Sequence, residues 1–90
     1  MTKTDVFNAF NEIFLNNIHL KEIIFGSQII PNDFGNTIIS ISSIDHIDLM
    51  IEIETHLSKE IPEDAILPGL SINEIVERIS EADENSHTFI

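Results

Sequence analysis

The stretch SSIDHIDLMIEIETHL, residues 42–57, carries apolar side chains in two stripes, and this limits the fold more than any other segment. Projected on a helix at about 100° per residue from Ile44, the residues Leu49, Met50, Ile53 and Leu57 fall between roughly 140° and 240°. Ile44, Ile47 and Ile51 fall between roughly 300° and 360°, near the opposite side. Asp48 and Glu52 border this second stripe on one flank and Glu54 on the other, with Asp45 further round. The first stripe is a core face. The second has two explanations: a short helix further along the chain covers it, or it stays exposed. An exposed apolar strip rimmed by acids has the make-up of a protein-docking surface. In a chain of 90 residues little helix is left over to bury a second face, so we expect a docking surface.

The remaining elements follow from the same spacing rules. Val6, Phe7, Phe10, Ile13, Phe14 and Ile18 give one buried face to a helix over about 4–18, capped by Thr4. Residues 19–42, with Gly26, Pro31 and Gly35, contain no hairpin turn between well-formed strands, and we expect a long loop pinned to the core by its isoleucines. The two-stripe helix spans about 43–57. Pro62 suits the first position of a short helix that Pro68 and Gly69 stop, with Glu63 and Asp64 at its positive end. Ser71 followed by Glu74 is a capping box for a last helix over about 72–81, with Ile72, Ile75, Val76 and Ile79 facing inward. The expected fold is all-α: a small bundle of three long helices and one short one, one domain over 1–82, with a flexible tail at 83–90 in which Phe89 and Ile90 could dock.

The net charge is −12, and it is lopsided. Residues 1–42 hold four acids against two lysines, whereas residues 43–90 hold twelve acids against Lys59 and Arg78. Such a field repels nucleic acid and anionic membranes and steers basic protein surfaces inward, so neither nucleic acid nor membrane is an expected partner. The chain has no cysteine, which rules out disulfides, thiolate metal sites and a thiol nucleophile of its own. The first twenty residues contain no basic segment leading into an unbroken apolar run, so neither a signal peptide nor a membrane helix is expected, and the expected location is cytoplasmic.

Two serines open the two-stripe helix. Ser42 with Asp45 three residues on is a capping-box variant, which gives the Ser42 hydroxyl a structural duty. Ser43 then occupies the first helical position, outward and beside the positive end of the helix dipole, where a phosphate ester is favoured. Other constellations are poorer. Ser43, His46 and Asp48 contain the letters of a hydrolase triad, but they lie within one helix with no nucleophile elbow. Glu52 and His56 are i, i+4 neighbours without a third ligand, and no metal site is expected. His46 lies towards the core side of the helix and reads as a packed histidine.

From Ser43 to Ile79, without a gap, the chain resembles the acyl carrier protein family. That family carries Asp-Ser-Leu at the start of its second helix, followed by an acid, an apolar residue and another acid. Here Ser43 matches the serine, Ile44 the leucine, Asp45 and Asp48 the acids, and Ile47 the residue between them. EIPEDAI resembles the family's Glu-Ile-Pro-Asp stretch, and SINEIVERI its final helix; the stretch from Ser43 to Ile79 covers about 40% of the chain. Ser42 stands where the family has Asp, and Ser40 where it often has Gly, which points to a specialised pathway rather than bulk fatty-acid synthesis. The resemblance implies a covalent 4′-phosphopantetheine on Ser43, attached by a phosphopantetheinyl transferase, that carries acyl, aminoacyl or polyketide groups as thioesters. The chain itself would be no enzyme but a monomeric carrier serving loading, synthase or acyltransferase enzymes with basic docking patches. Ile44, Ile47 and Ile51 would supply apolar contact and Asp45, Asp48, Glu52 and Glu54 the charge. The alternative is an acidic helical adaptor that docks without a prosthetic group.

Overall fold

Thr2 starts the first helix. In the computed structural model, which describes residues 2–86 and the side chains of 2–82, the Thr2 hydroxyl accepts from Asp5 N–H at 3.2 Å. The Asp5 carboxylate in turn accepts from Thr2 N–H at 3.0 Å, completing a capping box. That backbone donor, and then the Thr2 hydroxyl, hold the Asp5 carboxyl below its ordinary pKa. The expected cap, Thr4, lacks this reciprocal partner because Phe7 stands three residues on. Helix α1 therefore runs Lys3–Asn16 and buries Val6, Ala9, Phe10, Ile13 and Phe14.

Asn17 ends α1 and begins a second helix. Its N–H donates to Ile13 O at 2.7 Å, while its side-chain oxygen accepts from Leu20 N–H at 3.1 Å. Helix α2, Ile18–Phe25, thus occupies the start of the expected long loop, and it ends at Gly26, whose φ of 69° few other residues adopt. The isoleucine anchors also sort differently from expectation. Ile39 is buried, and Ile24 and Ile30 pack on the core from its edge, but Ile29 is 91% exposed. The main anchor of this region is Phe34, in a 3-10 turn over Phe34–Asn36. It stacks on Phe7 with ring centroids 4.6 Å apart and meets Phe14 edge-on at 6.0 Å.

Helix α3 spans Ser43–Leu57 and α4 spans Ile72–Ser86. Before α4, Ser71 and Glu74 form the anticipated capping box, each accepting from the other's backbone N–H at 3.2 Å. The expected short helix after Pro62 is a single 3-10 turn, Glu63–Ala65, with Pro62 at its cap. Helix α4 continues five residues beyond the expected end at 81, so residues 83–86 of the supposed tail are helical; residues 87–90, including Phe89 and Ile90, lie outside the described residues. The result is a compact all-α domain of four helices, with no strand among the described residues. Three of its helices are long and one is short, but the short one is α2.

Helix α1 packs on each of the other three helices. The shared core comprises its buried face, Leu20, Phe34, Ile39, Leu49, Ile53 and the inward stripe Ile72, Ile75, Val76 and Ile79 of α4. The segment leading into α3 is pinned by backbone bonds to the segment leading into α4. Ile39 N–H donates to Leu70 O at 3.0 Å, Gly69 N–H to Ile39 O at 3.2 Å, and Ile72 N–H to Thr37 O at 3.0 Å. These bonds fix where α3 begins, only a few residues later.

Candidate functional site at the start of helix α3

Both stripes of α3 are present. Leu49 and Ile53 are fully buried, and Met50 and Leu57 pack on the core from its edge. Ile44, Ile47 and Ile51 remain 77%, 58% and 55% exposed, so the turn at 63–65 covers the second stripe only in part. Three large apolar side chains stand in water along one side of α3, a strip of the kind that partners cover.

The strip divides at Ile44. Ile47 and Ile51 line a cleft of about 680 Å³ together with Met50, Ile39, Ile41, Ile66, Leu67 and Pro68. Ile44 lies outside this cleft. Ser43 stands on the cleft rim, and Glu54 and Glu63 also line it. Sequence reasoning missed Ile39, Ile41, Ile66, Leu67 and Pro68 because they belong to segments without helical periodicity; the backbone bonds between 37–39 and 69–72 bring them together.

The two serines behave differently. The Ser42 hydroxyl accepts from Asp45 N–H at 3.3 Å and donates to Asp45 Oδ2 at 2.9 Å, so it is the N-cap and is occupied in both directions. The Ser43 side chain is exposed and makes no hydrogen bond among the described residues. Its own N–H and that of Ile44 lie in the first helical turn, where the helix supplies no acceptor. A phosphate ester on the Ser43 oxygen would meet those donors and the positive end of a fifteen-residue helix.

The predicted acids all lie on α3 and split by duty. Asp48 and Glu52 are half-buried and make no hydrogen bond or ion pair among the described residues. Asp45 accepts from Ser42 and, through Oδ1, from His19 of α2 at 3.1 Å. Glu54 accepts from Ile61 N–H at 3.0 Å, which ties the end of α3 to the chain that follows it. Sequence reasoning missed both of these ties, because each reaches outside the helix period.

No imidazole bonds to either serine among the described residues. His46 is half-buried and donates from Nε2 to Ile66 O at 2.8 Å, so that nitrogen carries a proton and is not available to either serine. His56 uses Nδ1 on the Glu52 carbonyl at 3.0 Å rather than sharing a ligand with the Glu52 carboxylate. No group of three or more metal-ligating side chains occurs among the described residues, and no helix there is long and apolar enough to cross a membrane. No family model, no curated protein and no solved structure matches this chain.

Proposed function

We propose that this protein is an acyl carrier: Ser43 holds a covalent 4′-phosphopantetheine, and α3 presents it to partner enzymes. The observation that carries this reading is the contrast between the two serines, one bonded in both directions and the other free, exposed and on the rim of an apolar cleft. Ser43 fits the group, since its hydroxyl is available and the first-turn N–H groups can face the phosphate. When bound, the group supplies the thiol that this chain lacks, and with it the capacity to carry acyl, aminoacyl or polyketide cargo as a thioester.

The chain's own residues position and deliver. Ile44, Ile47 and Ile51 offer apolar area to a partner, while Asp48 and Glu52, with Asp45 above them, attract basic patches and speed encounter. Exposed charge pairs add little to residence, which suits brief and repeated visits to several enzymes. Ile47, Met50, Ile51, Ile66 and Leu67 line a cleft that can shield apolar cargo beside the attachment point. No catalytic role is assigned to the chain; the chemistry belongs to the transferase, synthase or acyltransferase it meets.

Incubation with a broad-specificity phosphopantetheinyl transferase and coenzyme A, read by intact mass, tests the reading. The native chain and Ser42→Ala are expected to gain a single phosphopantetheine increment, and Ser43→Ala none. An unmodified native chain would favour the other reading, an acidic docking domain without a prosthetic group, which keeps the exposed strip but not the tether.

A further inference from the structure

Asp45 is held from two sides. Its Oδ2 accepts from the Ser42 hydroxyl at 2.9 Å and its Oδ1 from His19 Nε2 at 3.1 Å. The carboxylate side chain is 19% exposed and the imidazole 68%. A carboxylate can only accept, so Nε2 carries a proton here whether the ring is neutral or charged. The two states differ in what they leave for a partner. A neutral imidazole orients Asp45 and leaves its negative charge in place. An imidazolium cancels that charge, grips the carboxylate with a charge-assisted bond, and puts a cation where a basic partner must approach.

We propose that His19 is a docking residue contributed by α2, whose charge state sets how strongly the mouth of α3 attracts a basic partner. The proposal rests on reading α3 as the partner surface. His19 is well placed for it: the bond to Asp45 joins α2 to the first turn of α3, two residues from Ser43. The other charged groups of α1, α2 and the start of α3 have different engagements. On α1, Lys3 lies 3.9 Å from Glu77, Asp5 caps its own helix, and Glu12 accepts from Asn16. On α2, Lys21 donates to Gly26 O, while Glu22 is exposed. On α3, Asp48 stands one turn beyond Asp45, and His46 points Nε2 at Ile66 O. A charged ring at this place weakens the attraction, and a neutral one leaves it intact.

Two variants fix the charge. His19→Gln stays neutral and His19→Lys stays positive, while His46, His56 and His87 are common to all three chains. Loading by the transferase is compared as kcat/KM at low ionic strength from pH 8 to 5.5, with thermal melts confirming that each chain is folded. His19→Lys is expected to load about threefold to tenfold more slowly than His19→Gln. As the pH is lowered the native chain moves from the His19→Gln rate towards the His19→Lys rate, and high salt brings the three together. A ratio that stays constant with pH, or a His19→Lys chain that loads as fast as His19→Gln, overturns the proposal and leaves the carrier reading intact. If none of the three chains loads, the carrier reading fails instead. Association with a lysine-rich peptide, measured on the same chains, then decides the role of His19, and a flat pH ratio there overturns it.

Discussion

Phe34→Ala is expected to lower the unfolding free energy by about 3–5 kcal/mol. Phe34 lies in a three-residue 3-10 turn and is 5% exposed, so its own local structure contributes little and its burial nearly everything. Its ring stacks on Phe7, meets Phe14 edge-on, and lies 6.4 Å from Phe25, also edge-on. Truncation removes the transfer free energy of a whole ring and leaves a void bordered by three other rings, which cannot close over it without moving α1 or α2. Domains of this size have about 5–15 kcal/mol in total, so the variant should unfold at a much lower guanidinium concentration with little change in slope. A loss below about 1 kcal/mol would mean that the backbone bonds at 37–39 hold this region without the ring.

Ile53→Ala and Ile51→Ala, two residues apart on α3, should separate stability from docking. Ile53 is fully buried, and its truncation is expected to cost about 2–5 kcal/mol. Ile51 is 55% exposed, so its loss should change stability by less than about 1 kcal/mol. The order reverses for partner recognition. Ile51→Ala removes part of the exposed strip and should slow transferase loading, whereas Ile53→Ala, held at a temperature where it is folded, should load at nearly the native rate. Denaturant midpoints and loading rates on both variants check this contrast. Equal stability losses would contradict the division of α3 into two faces.

That division was legible because helical periodicity reports sidedness directly. Ile44, Ile47 and Ile51 on one side, and Leu49 and Ile53 on the other, follow from residue spacing alone, and so do the Ser42 cap and the span of α3. The capping box at Ser71 and Glu74 was readable for a related reason, since both partners lie within one turn. What periodicity could not report was contact between segments distant in sequence. The helix expected over about 4–18 runs straight through Asn17, which in fact closes α1 and caps α2. His19 and Asp45 are 26 residues apart, and no helical period links them. The cleft beside Ser43 needed the same long-range pairing, because half its lining comes from outside α3, from Ile39, Ile41, Glu63 and 66–68, where no helical period runs. The short helix was expected after Pro62, but one 3-10 turn there already buries Ala65 and Ile66, and the chain then has to reach Ser71.

The carrier account depends most on which of two neighbouring oxygens forms the bond. Tandem mass spectrometry of the loaded native chain, on the peptide that spans residues 40–48, reads this directly. The tether is expected on Ser43, with Ser42 unmodified and still capping α3. A tether on Ser42, or none on either serine after treatment with a competent transferase, would contradict the account.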